Sequence, residues 1–167
     1  MPYDPDKHHR RSIRLDGYDY AQEGAYFITI CTHHREELFG EVQDGAMLLN
    51  AYGHLVTEHW QRLSEFHPHL AQDEFVVMPN HLHGILILHE TANLSKPISE
   101  IIGRFKSFTT KAINQQRRTT GTAVWQRNYY EQVIRGEVML NAIREYIMQN
   151  PAKWSQDTEN VARIQLT

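Results

Sequence analysis

The hydrophobic and polar positions along this chain change period several times, and each change marks an element. From Tyr26 to Thr32 the residues are aromatic and β-branched, the composition of a strand, and Glu37–Val42 with Ala46–Leu49 offer short antiparallel partners around Asp44-Gly45. The period then lengthens. Tyr52, Leu55, Val56, His59, Leu63 and Phe66 recur at i, i+3, i+4 and i+7, which predicts a helix capped by Asn50 and ended by His67-Pro68. Asp73–Met78 and His81–Leu88 read as two strands reversed at Pro79-Asn80. A second helix begins near Ser99, with a buried stripe of Ile98, Ile101, Ile102, Phe105, Phe108, Ala112 and Ile113. Val124–Ile134 is aromatic and mixed, and a last helix runs from about Glu137 to Asn150, where Pro151 stops it. The tail after Trp154 has no pattern to read.

Hairpins interspersed with helices, without regular βαβ units, predict an α+β fold: a single antiparallel sheet with helices packed on it. There is no internal repeat or long Gly/Ser/Pro linker, so the 167 residues read as one domain. Cys31 is the only cysteine, which excludes a disulfide framework and a cysteine-based zinc site; its apolar surroundings predict a buried, inert thiol. Met1–Arg11 has no apolar stretch like that of a signal peptide, and the longest apolar run, Ile85–Leu88, is far too short for a bilayer. The expectation is a cytoplasmic protein with no membrane partner. A net charge of -3 argues against a general nucleic-acid coat, yet the basic residues cluster. One cluster is Lys7, Arg10, Arg11 and Arg14, within an N-terminal arm of about residues 1–20; the other is Arg104, Lys106, Lys111, Arg117 and Arg118, on the second helix and just beyond it. Either could hold phosphates, and either could be a solvated surface.

Chemistry concentrates in Asn80-His81-Leu82-His83-Gly84. Strand side chains alternate faces at ~3.3 Å per residue, so the two histidines point one way about 7 Å apart while Leu82 enters the apolar face. Two imidazoles at that spacing can converge on one cation, and they need a third ligand. With 11 histidines in the chain, a pair on the wet face of a sheet competes with that reading; the other nine are read as surface residues. On the last helix Tyr146 and Asn150 stand at i and i+4 and share a face, so the amide oxygen of Asn150 could complete a His, His, Asn set one turn from a phenol. The alternatives are a core tyrosine and a helix-capping asparagine.

Six stretches carry a resemblance. They are Arg10–Leu15 with Gly17–Tyr20, Tyr26–Thr32, Met78–Gly84, Gly103–Ser107, Trp125–Glu131 and Glu145–Pro151, and together they span the chain in order from Arg10. In these stretches the sequence resembles the REP-associated tyrosine transposases, within the single-tyrosine HUH transposases of the insertion-sequence type. That resemblance implies a ferredoxin/RRM-like HUH fold. It implies a metal-dependent endonuclease and strand transferase acting on single-stranded DNA at or near hairpins, through a 5′-phosphotyrosine intermediate. Tyr146 would be the nucleophile, and His81, His83 and Asn150 the ligands of Mg²⁺ or Mn²⁺. The DNA would be a repetitive-extragenic-palindrome-like hairpin, with Arg10, Arg11, Arg14, Arg104, Lys106 and Lys111 as phosphate contacts. Tyr129 and Tyr130 would pack or touch DNA, with Trp125 a further stacking platform, and the protein would work as a monomer or homodimer. A replication-initiator or relaxase-like nickase and a non-catalytic hairpin-binding domain are the competing readings.

Overall fold

The computed structural model describes residues 24–89 and 96–157, and the N-terminal arm with Lys7, Arg10, Arg11 and Arg14 lies outside them. Strand β1 (Gly24–Cys31) is followed by a hairpin of β2 (Gly40–Gln43) and β3 (Ala46–Leu49), helix α1 (Ala51–Gln61) and the single turn α2 (Leu63–Phe66). The chain continues through β4 (Leu70–Met78), β5 (His81–Leu88), α3 (Ile98–Gln116), β6 (Tyr130–Ile134) and α4 (Gly136–Gln149). Four strands form one antiparallel sheet in the order β4-β5-β1-β6, and β2-β3 stands apart as a two-stranded ribbon. The α+β expectation of one antiparallel sheet with packed helices therefore holds.

Strand alternation assigns the two faces. Tyr26, Ile28 and Ile30 of β1 and Leu82, Leu86 and Leu88 of β5 enter the larger core with Trp60 of α1 and the stripe of α3. Phe27 and Ile85 point the other way, where Ile134 of β6 and Ile147 of α4 meet them in a smaller cluster. The result is three layers: α1 and α3, the sheet, then α4. Gly84 sits on the α1 side, where a Cβ would come within 2.3 Å of the Trp60 ring, so this position admits only glycine without movement.

Several sequence expectations change in detail. The hairpin strand starts at Gly40, because Leu38 and Phe39 are buried in the larger core. Its turn has both central residues at positive φ, Asp44 at 52° and Gly45 at 74°, as an Asp-Gly two-residue turn requires. Asn50 caps α1 by accepting from the backbone N–H of Gly53 at 3.0 Å, but the helix breaks at Arg62 (φ −89°, ψ 1°) instead of running to Phe66. β4 starts at Leu70, three residues early, since Leu70 and Ala71 pair with Leu88 and Ile87. The stripe of α3 passes through Thr109 and not Phe108: Phe108 is 61% exposed, while Thr109 donates to the Phe105 carbonyl and accepts from the Trp125 indole. Trp125 is thereby a core residue and not an exposed stacking platform. His67 and His69, expected at the surface, are buried where the chain turns from α2 into β4. Cys31 is half-buried.

Candidate metal and nucleophile site

β5 begins directly after the Pro79-Asn80 reversal, and its first residues are the two histidines, opposite Cys31 and Thr29 of β1. The pleat turns both imidazoles to the α4 side, 4.5 Å apart between ring centroids, and both are buried instead of lying on a wet face. Each ring is held at Nδ1: His81 by Asn80 Oδ1 at 2.8 Å, and His83 by Thr29 Oγ1 at 2.7 Å. Asn80 Oδ1 can only accept, so His81 carries its proton on Nδ1 and a lone pair on Nε2; in the same tautomer, His83 directs its Nε2 lone pair at the same small region. His81 Nε2 is buried with no hydrogen-bond partner. Burial pushes the His81 imidazole down to about 4, against an opposing pull from the Asp157 carboxylate and the Asn150 amide. Burial, and then His81 itself, hold His83 well below the ordinary histidine range. Both rings are therefore neutral at physiological pH, the state a metal ligand requires.

α4 delivers the other two expected residues. Its inward residue Ile147 seats the helix on Phe27 and Ile85, and Arg144 clamps it to β4 through two bonds to Asp73, at 2.7 and 2.6 Å. One residue before Ile147, Tyr146 points to the edge of the site, with its hydroxyl 3.5 Å from His83 Nε2 and its side 47% exposed. Phe27 stacks on His83 and meets Tyr146 edge-on, so one ring orients both. Asn150 caps α4, and its Oδ1 is buried with no hydrogen-bond partner. Two unpartnered donors, His81 Nε2 and Asn150 Oδ1, in one dry pocket beside a second neutral imidazole are costly unless something fills the gap between them. A divalent cation with nitrogen and oxygen ligands fits this donor set.

One residue was not anticipated. After Pro151 the chain makes a turn and a 3₁₀ segment, Trp154–Gln156, that lays the Trp154 ring 5.9 Å from His81. This brings Asp157 Oδ2 to 3.8 Å from His81 Nε2, and the ligand atoms of His81, His83 and Asp157 all lie within 4.8 Å of one another. No periodicity or motif in the patternless tail signals this return.

The basic residues of α3 are elsewhere. Arg104, Lys106 and Lys111 belong to the helix layer on the opposite side of the sheet from Tyr146. Arg104 is exposed and paired with Glu100 at 3.4 Å, and Lys111 is exposed. Lys106 is half-buried, donating to the Gln126 and Arg127 carbonyls at 2.6 and 3.0 Å, so two of its three N–H groups hold the loop before β6. Tyr129 packs on the larger core and donates to Glu131; Tyr130 meets Phe27 edge-on and donates to Gln132.

The antiparallel sheet presents a buried histidine pair beneath the helix that carries Tyr146, and sequence comparison specifies the family. Residues 22–150 match the family described as IS200-like transposases, and the chain belongs to that family. A relative from Haemophilus influenzae (strain ATCC 51907 / DSM 11121 / KW20 / Rd), described only as an uncharacterized protein, is 42% identical over 173 residues, covering 93% of this chain and 95% of its own. The fold is shared with a REP-associated tyrosine transposase bound to a REP hairpin (TM-score 0.64, 21% identity, 86% of this chain and 75% of that one). It is shared also with a proposed transposase from Deinococcus radiodurans R1 (TM-score 0.50, 16% identity, 81% and 96%). No helix among the described residues is long and apolar enough to cross a membrane.

Proposed function

We propose that this transposase-family protein cuts and rejoins single-stranded DNA at or near hairpins, with Tyr146 as its nucleophile. The observation that carries the reading is Tyr146, a half-exposed residue whose hydroxyl lies 3.5 Å from the buried His83 Nε2. The phenolic oxygen attacks a phosphodiester phosphorus. An O–P bond to tyrosine forms, the bond from phosphorus to the 3′ oxygen breaks, and that oxygen leaves as a 3′-hydroxyl while the phenol gives up its proton. The product is a 5′-phosphotyrosine that conserves the bond energy, so attack by a second 3′-hydroxyl reverses the step without ATP. An unperturbed phenol has a pKa of ~10. The nucleophile therefore depends on its surroundings to ionise at neutral pH.

His81, His83 and Asn150 would hold a divalent ion, Mg²⁺ or Mn²⁺. When bound it supplies Lewis-acid neutralisation of charge at the phosphate oxygens. The protein's own contribution is positioning. Phe27 fixes the plane of the Tyr146 ring, Ile147 and the Arg144–Asp73 pair fix its helix, and the open side of the tyrosine leaves room for an unpaired strand that a regular duplex could not present. In this reading Arg104 and Lys111 touch phosphates remote from the cut, Lys106 has at most one free N–H to offer, and Arg10, Arg11 and Arg14 in the arm hold DNA beside the hairpin. The whole chain then works as one domain with a basic arm, in the cytoplasm.

The test incubates labelled single-stranded hairpins with Mn²⁺ or Mg²⁺ and looks on a denaturing gel for a covalent adduct. Wild type should form it only on unpaired DNA and only with metal, and Tyr146→Phe should form none. DNA binding without an adduct across a varied hairpin pool would replace this reading with a non-catalytic one, and cleavage by Tyr146→Phe would point to activated water.

A further inference from the structure

We infer that Asp157 is a metal ligand of this site, a carboxylate delivered by the chain segment that follows α4. The inference rests on the reading of His81 and His83 as a metal-binding pair. Three observations carry it. First, the His81 Nε2 to Asp157 Oδ2 gap of 3.8 Å is too long for a hydrogen bond, yet short enough for both atoms to share one cation at ligand distances of ~2.1 Å. Second, the two histidine nitrogens and the Asp157 oxygen converge within 4.8 Å, and Asn150 Oδ1 and His81 Nε2, both buried, have no hydrogen-bond partner. Third, the Asp157 side chain is only 6% exposed, although it lies beyond the last α-helix in a polar stretch that sequence pattern leaves unassigned.

Charge supplies the physical reason. His81, His83 and Asn150 are all neutral donors in a pocket from which water is largely excluded, and a divalent ion placed there is left with two uncompensated charges. One carboxylate halves that imbalance and adds a hard oxygen, which matters more to Mg²⁺ than to Mn²⁺ because Mg²⁺ gains less from imidazole. Trp154, tilted against His81, is part of the same return of the chain that brings Asp157 to the site.

The experiment measures metal binding by the full-length protein without DNA, using calorimetric titration with Mn²⁺ and with Mg²⁺ on wild type, Asp157→Asn, Tyr146→Phe and His81→Ala. Asp157→Asn should bind Mn²⁺ about tenfold more weakly or worse, and lose proportionally more affinity for Mg²⁺. Tyr146→Phe should bind as wild type does, and His81→Ala should bind neither ion. Metal-free Asp157→Asn should melt as wild type does, which separates a lost ligand from a lost fold. Asp157→Asn affinities within twofold of wild type for both ions would overturn the assignment, as would a wild type that binds neither. Because no DNA is present, failure of the adduct assay with intact, Asp157-dependent metal binding would sink the nuclease reading alone.

Discussion

At the scale of single residues, the site depends on which nitrogen of each imidazole is free. Asn80 Oδ1 and Thr29 Oγ1 engage Nδ1 of His81 and His83, leaving Nε2 of the two rings to face Asp157 and Tyr146. Outer partners of this kind typically change metal affinity by about 10–100-fold when removed. Thr29→Val keeps the shape and β-branching of a strand residue while deleting the hydroxyl, so we expect Mn²⁺ affinity to fall by about tenfold or more with the far-ultraviolet spectrum unchanged. Unaltered affinity would mean that the pleat and Phe27 alone set the ring. The histidine pair was legible from its i, i+2 spacing, and Tyr146 with Asn150 from i, i+4. Thr29 was legible only as one of several β-branched residues, because its role depends on lying opposite His83 in a register that no single sequence states. Asp157 was not legible at all, since its position comes from a turn after Pro151 and not from any repeat.

At the scale of elements, α4 matters most, because it carries the proposed nucleophile and is seated through few side chains. Its start and stop could be read from Glu137 and Pro151, and its inward face from Ile143 and Ile147. The clamp to β4 could not be: Asp73 sits where the β4 register shifts between Gln72 and Phe75, and that irregularity is what brings its carboxylate to Arg144. Two bonds from Arg144, helped by the backbone N–H of Glu74, hold the Asp73 carboxyl below its ordinary value despite partial burial. A lowered folded-state value means that the unfolded chain binds this proton more readily. The ionic contribution to stability is therefore complete above the unfolded pKa of ~3.9 and disappears as pH falls through the folded one. Melting temperatures of wild type and Asp73→Asn should differ most near neutral pH and converge below about pH 4. A gap that stayed constant through that range would show that the pair acts by shape and not by charge.

At the scale of the whole molecule, the sheet is the shared wall of two unequal cores, and the site lies on the thinner side. The α+β class and the antiparallel pairing of β4 with β5 followed from alternation and the Pro79-Asn80 turn. Strand order did not, because β1 lies between β5 and β6 through contacts distant in sequence. This arrangement couples the layers at Gly84, one residue from His83. A methyl group there would meet the Trp60 ring at 2.3 Å, in a core where Trp60 is fully buried and also faces Phe105 edge-on. Either the indole moves within a close-packed layer or β5 moves toward α4, and the second displaces both imidazoles. Gly84→Ala should therefore cost about 1–3 kcal/mol of stability by overpacking and weaken Mn²⁺ binding as well, although the new methyl group lies on the face away from the site. Denaturant melts paired with metal titrations check both effects. Lost stability with undiminished metal affinity would show that the Trp60 layer yields and that β5 holds its histidines independently of the large core.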